Sequence, residues 1–146
     1  MRTIVFRGKR KDNSEWVYGS LIRSDEYYSE KRKEPKYYIC PFTTTFEYDE
    51  CSYDSNEVVP ETIGQYTGLT DKNGTKIFEG DIVKFHVETL TKMWDIIGVV
   101  KCYNTSYGIS YENDQHFLAF NNASMNVRWY EVIGNIYDHL ELLEEK

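Results

Sequence analysis

No stretch of this sequence approaches the roughly 20 consecutive apolar residues that a bilayer-spanning helix needs. The opening "MRTIVFRGKR" has an apolar run of only three residues before Arg7, so neither a membrane anchor nor a secretory leader is predicted. Cysteine is scarce: Cys40, Cys51 and Cys102 form no CxxC pair and leave an odd one over, which makes free thiols in a reducing bacterial cytoplasm the expected state. Histidine is equally scarce. His86, His116 and His139 form neither HxH nor HExxH, which excludes zinc-protease logic. GxGxxG and GxxxxGK[ST] are both missing, so no phosphate-cradling loop is expected. Positive charge is also in deficit: the net charge of −7 argues against general attraction to nucleic acid, whose phosphates are held mainly by Lys and Arg.

What the sequence has in excess is aromatic residues, 16% of the chain and including 13 tyrosines. Aromatics favour pleated, half-buried surfaces, and tyrosines outside a core make adhesive ones. At 146 residues the chain is long enough to bury a core as one domain without disulfides or a structural metal. Within that domain, residues 1–60 read as an N-terminal hairpin with loops, and residues 61–146 as a β core with a C-terminal helical turn. The charge divides unevenly between these parts. Ten basic against eleven acidic residues leave −1 on residues 1–60, and seven against thirteen leave −6 on residues 61–146. Before Asp12, however, stand Arg2, Arg7, Lys9, Arg10 and Lys11 with no acid among them.

Short β-prone runs follow one another along the chain. "TIVFRGK" and "EWVYGSLI" flank a polar turn and predict a hairpin with Ile4, Phe6, Trp16, Tyr18 and Ile22 at alternating positions. Residues 23–36 read as an exposed loop, "YYICPF" and "TTTFEY" as short strands, and "DECSYDSNEVVPET" as an irregular connection. In "DIVKFHV" the alternation of Val83, Phe85 and Val87 with Lys84 and His86 marks a strand with one dry face and one wet face. "IIGVVKCY", "YGISYE", "HFLAF" and "RWYEVIGNIY" continue at antiparallel spacing. Only "DHLELLEEK" reads as helical, with Asp138 as its cap and Leu140, Leu142 and Leu143 packing inward.

Three blocks, "FRGKRKDNSEWVYG", "VPETIGQYTGLTDKNGTKIFEGDIVK" and "EVIGNIYDHLELL", resemble the YopX family of phage and prophage proteins, in the expected order. The resemblance implies an all-β, antiparallel sandwich or distorted small SH3-like barrel with a short C-terminal helix, and an origin in bacteriophage genomes. It brings no established activity and hence no catalytic residues. Residues 23–57 and 86–127 carry none of it.

Candidate chemistry is sparse. Asp71, Asn73, Glu79 and Asp81 crowd one acidic stretch, but a calcium loop starting at Asp71 would need Gly where Lys76 stands and Glu where Ile82 stands. Turn chemistry, in which Asp and Asn bond neighbouring backbone, is the expected role. Asp114 with His116, and His86 with Glu88, are each predicted to share a strand face, and a small hydrolase using Asp81 or His116 is the least supported reading. Cys102 follows an apolar strand with no activating base in sequence. The strongest binding signal is the first hairpin, where Arg7, Lys9, Arg10 and Lys11 accompany Phe6, Trp16 and Tyr18 in a charge-plus-stacking pattern suited to single strands. The expectation is a protein without catalytic activity, metal or cofactor: a binding or assembly module that self-associates, with Tyr37 and Tyr38 as further contributors, or engages a phage or host protein. A nucleic-acid accessory role for the hairpin is the alternative.

Overall fold

Alternating apolar and polar residues, punctuated by Gly, Asn and Asp, produce strands throughout the computed structural model, which describes residues 1–24, 34–42, 56–121 and 126–144. The strands are β1 (Phe6–Lys9), β2 (Trp16–Ser24), β3 (Lys36–Pro41), β4 (Gly64–Thr70) and β5 (Lys76–Phe78), then β6 (Asp81–Glu88), β7 (Met93–Tyr103), β8 (Ser106–Tyr111), β9 (His116–Ala119) and β10 (Val127–Asn135). They form two antiparallel five-stranded sheets, ordered β3-β2-β1-β4-β5 and β10-β6-β7-β8-β9, neither closed into a barrel. The all-β expectation holds. The predicted strand "TTTFEY" and residues 49–55 of the predicted connection lie outside the described residues, whereas the end of that connection forms a 3-10 turn, Pro60–Thr62. The predicted C-terminal helix is a single 3-10 turn, Leu140–Leu143, with no side-chain cap. Asp138, expected to cap it, instead accepts a hydrogen bond from Asn135 Nδ2 at 3.2 Å. Four residues are too few to nucleate an α-helix.

The chain divides into two compact units, Met1–Tyr66 and Thr67–Lys146, with β4 running across the boundary. In the first unit, the register pairs Arg7 with Tyr18 and Lys9 with Trp16. The expected alternation of Trp16 and Tyr18 along β2 holds. Phe6 lies on the face of Gly8 and Val17, opposite to Trp16 and Tyr18, and packs against the buried cluster Val17, Ile39 and Val58. Ile4 precedes the strand and is exposed. Bridges from Glu57 to Tyr38 and from Val58 to Arg10 tie the outer edge of β3 to the end of the hairpin. Cys40 is disulfide-bonded, contrary to the free thiol expected of it, whereas Cys102 is free and exposed.

The second unit is built around the dry face predicted for β6. Val83, Phe85 and Val87 are buried together with Ile77, Val100, Ile109 and Leu118. Phe85 is fully buried and meets Tyr111 edge-on, centroids 5.8 Å apart, with Tyr130 at 6.4 Å on another side. Such tilted contacts suit the ring quadrupoles. Burial pushes the Tyr130 phenol above its ordinary pKa.

The acidic stretch resolves into two turns. Asp71 Oδ1 accepts the N–H groups of Asn73 (2.8 Å) and Thr75 (2.9 Å), while Oδ2 accepts that of Val132 at the outer edge of β10 (3.0 Å). Gly74 completes this turn at φ +82°, a conformation costly for other residues. Asp81, 2% exposed, accepts the Phe78 N–H at 2.8 Å across a second turn, where Gly80 has φ +81°.

Candidate functional site

Two surfaces carry the polar and aromatic groups from which function can be read. The first is the hairpin singled out by sequence. Strand pairing brings Arg7, Lys9, Trp16 and Tyr18 onto one face, but the indole is already engaged: the Arg7 guanidinium sits 4.8 Å from its centroid and the Lys9 ammonium 5.6 Å. Arg7 is only 6% exposed. Arg10 and Lys11 lie beyond the strand and pair with carboxylates, Arg10 with Asp12 at 2.6 Å and Lys11 with Glu57 at 2.5 Å. Cations held in this way offer little charge to a phosphate backbone, and Trp16 offers little face to a base. Tyr18 is the exposed aromatic of the six, at 46%.

The second surface is the wet face of the second sheet, which sequence reasoning only partly foresaw. The register sets Ile82, Lys84, His86 and Glu88 of β6 opposite Val99, Ile97, Asp95 and Met93 of β7, with Trp129 and Glu131 of β10 on the other side of His86 and Lys84. His86 and Glu88 do share this face, as predicted. A ladder of polar contacts crosses the strands. The Lys72 ammonium lies 3.0 Å from Glu131 and 4.1 Å from the Trp129 centroid. Trp129 stacks on His86 at 5.4 Å with planes 8° apart, and His86 Nδ1 meets Asp95 at 2.7 Å. Lys84 reaches the same carboxylate at 3.3 Å, and the His86 hydrogen bond, with Lys84 behind it, holds Asp95 below its ordinary pKa. Glu88 pairs with Arg128.

Beside this ladder a half-open groove of about 860 Å³ runs along β7 and β8 towards the 3-10 turn. Its apolar lining includes Ile97, Val99, Ile136, Leu140 and Leu143, and its polar lining includes Asp95, Lys101, Glu112 and Asp114. The turn from β8 to β9 shapes one wall. Glu112, Asn113 and Asp114 all adopt positive φ, at 51°, 56° and 65°. This corrects the expectation that Asp114 shares a strand face with His116, which heads β9, pairs with Glu112 at 3.2 Å and stacks on Tyr111. Asp114 instead takes hydrogen bonds from Lys101 (2.6 Å) and Ser110 (2.5 Å), and these hold its carboxyl below the ordinary value.

A family model described as YopX protein matches residues 5–144. The chain belongs to the YopX family. A search of curated proteins finds no match to this YopX-family chain. Among solved structures it is similar to the crystal structure of protein EF1440 from Enterococcus faecalis, at 24% identity over 98% of this chain and 99% of that one, with a TM-score of 0.46. No helix among the described residues of this YopX protein is long and apolar enough to cross a membrane. No group of three or more potential metal ligands occurs among them. The ladder and groove escaped sequence reasoning because β10 lies some 40 residues from β6 in the chain. The visible signal was the polar member of each alternating pair, which tells that Trp129, His86 and Asp95 face outward but not that they face one another.

Proposed function

We propose that this chain is a non-catalytic binding module of phage or prophage origin, working in the bacterial cytoplasm by associating with protein surfaces, its own copies included. The observation that carries this reading is the hairpin joining β6 to β7. Leu90 is fully exposed there, Met93 is 67% exposed and Trp94 40%. Leu90 in the turn, with Met93 on one face of β7 and Trp94 on the other, leaves large apolar side chains exposed around one hairpin end, and leaving them in water forgoes about 25 cal/mol per Å² of burial. A reducing cytoplasm would open the disulfide at Cys40, so the proposed location includes that change. The carboxylates best placed for chemistry already serve the fold, Asp71 and Asp81 as acceptors of backbone N–H groups.

Sedimentation velocity across a concentration series tests the reading. Self-association is expected in the native protein and is expected to weaken at least about a hundredfold when Leu90, Met93 and Trp94 are all replaced by Ser, since three side chains buried in a contact contribute about 3 kcal/mol or more. A sedimentation coefficient that stays monomeric at every concentration removes self-association.

The nucleic-acid alternative has less support, because Arg10 and Lys11 are paired and Trp16 is covered. Oligonucleotide binding measured across a salt series is expected to be weak, and replacing Lys9, Arg10 and Lys11 by Ala is expected to change it by less than about twofold. Tight binding with a steep salt slope that the triple variant abolishes would restore this alternative.

A further inference from the structure

We infer that the free edge of β7, from Met93 to Ile97, pairs antiparallel with the same edge of a second copy across a two-fold axis. The inference rests on the reading of this chain as a self-associating module and names the contact. On one side β7 pairs with β6 from Met93 to Val99, but on the other β8 reaches only to Gly98, opposite Tyr111. There the chain turns off through the left-handed run Glu112, Asn113 and Asp114. The Thr89 N–H donates to the Lys92 carbonyl at 2.8 Å, which sets the phase of the β6–β7 ladder. Hydrogen-bonded positions alternate in an antiparallel pair, so Trp94 and Ile96 turn their N–H and C=O groups to β6, whereas Met93, Asp95 and Ile97 turn theirs outward. No strand among the described residues pairs with that outward side of Met93–Ile97. A row of unpaired backbone donors and acceptors is complementary to another extended strand.

The occupant is a second copy because this edge is complementary to itself. With Asp95 opposite Asp95, the two edges overlap over their whole free length, and each β8 falls beyond Met93 of the other copy, so neither is displaced. In this register Met93 stands opposite Ile97 of the second copy on one face of the joined sheet, and Trp94 stands opposite Ile96 on the other. Met93, Trp94 and Ile97 are 67%, 40% and 37% exposed, and the pairing gives each of them an apolar neighbour. The outward-turned residues meet as hydrogen-bonded pairs, each exchanging two N–H···O bonds. Asp95 is the one polar position, and its carboxylate is already held by Lys84 at 3.3 Å and His86 at 2.7 Å, so no bare charges are opposed. Sliding the register by two residues either way shortens the overlap and sets Asp95 against Met93 or Ile97.

The test follows amide hydrogen exchange by NMR in the full chain at low and high protein concentration. In dilute protein the amides of Trp94 and Ile96 are expected to be protected, and those of Met93, Asp95 and Ile97 to exchange freely. Protection of Met93, Asp95 and Ile97 is expected to rise about tenfold once about nine in ten chains are paired. Asp95→Pro deletes the central outward N–H without removing a bond to β6, a position at which an edge strand tolerates proline. By sedimentation it is expected to associate at least about tenfold more weakly than Asp95→Ala, which loses the same side chain but keeps the N–H. Should the proline variant fail to fold, the exchange pattern decides. Protection of the three amides already in dilute protein, no gain of protection in the associated protein, or an Asp95→Pro variant that associates as Asp95→Ala does would overturn the inference. Association of the native protein in any of those cases leaves the wider reading standing, whereas a protein that stays monomeric at every concentration removes both.

Discussion

Replacing Asp71 by Ala is expected to destabilise the protein by about 3 kcal/mol, seen as a urea midpoint lowered by about 1–2 M. Three backbone N–H groups converge on this carboxylate, from Asn73 and Thr75 within its own turn and from Val132 on β10. Hydrogen bonds to a charged group contribute about 1.5–3 kcal/mol each before non-additivity, and Asp71 is only 7% exposed, so water replaces the lost acceptor poorly. Burial by itself raises the Asp71 carboxyl pKa, but the N–H donors of Val132, Thr75 and Asn73 together bring it below its ordinary 3.8. A carboxyl with a depressed folded pKa contributes stability that is fully present above its unfolded value. That contribution drains away as pH falls through the folded value. Stability of the native protein should therefore decline below about pH 4, while Asp71→Asn should lower stability at neutral pH and flatten this part of the acid limb. A variant whose urea midpoint matches the native one at pH 7 would show that the turn and the β10 edge do not depend on this carboxylate.

Phe85→Ala is expected to cost about 3–5 kcal/mol, the largest loss at any single core position considered. The ring is fully buried at the centre of the second unit, between Tyr111 and Tyr130, and neighbouring strands fix the backbone on both sides through the β6–β7 and β6–β10 pairings. With the walls held by sheet hydrogen bonds the cavity collapses only in part, so the loss includes a cavity contribution as well as the transfer of the ring. Phe85→Leu should recover more than half of the deficit. Amide exchange localises the effect: protection is expected to fall in β6, β7 and β8. Unfolding midpoints that shift by less than about 1 kcal/mol would mean that the site collapses freely, contrary to the packing described.

The strand inventory was largely legible. "DIVKFHV" announced β6, its dry residues and its wet ones, because a period of two maps directly onto the two faces of a strand. The Asn73–Gly74 pair announced a turn, and Asp71 takes the backbone-binding role expected of it. The hairpin was legible as a hairpin but not in register. Trp16 stands opposite Lys9 and Tyr18 opposite Arg7, so the two aromatics share a face with cations and not with Phe6. A one-residue shift of register exchanges the faces, and the polar turn residues alone do not fix it. The C-terminal segment misled for a different reason: its leucines have helical spacing, yet a single 3-10 turn forms.

By itself the sequence determined the strand-rich class, the positions of the main chain reversals and the kinship to the YopX family, all of which depend on local alternation, turn chemistry or contiguous residue blocks. Tertiary structure decided which charges are spent and which remain. Lys11 finds Glu57 46 residues away, Asp71 finds Val132 across 61, and Trp129 finds His86 on the neighbouring strand. The physical reason is that periodicity fixes the side of a strand on which a residue lies, whereas its neighbours on that side are set by the order in which distant strands pair.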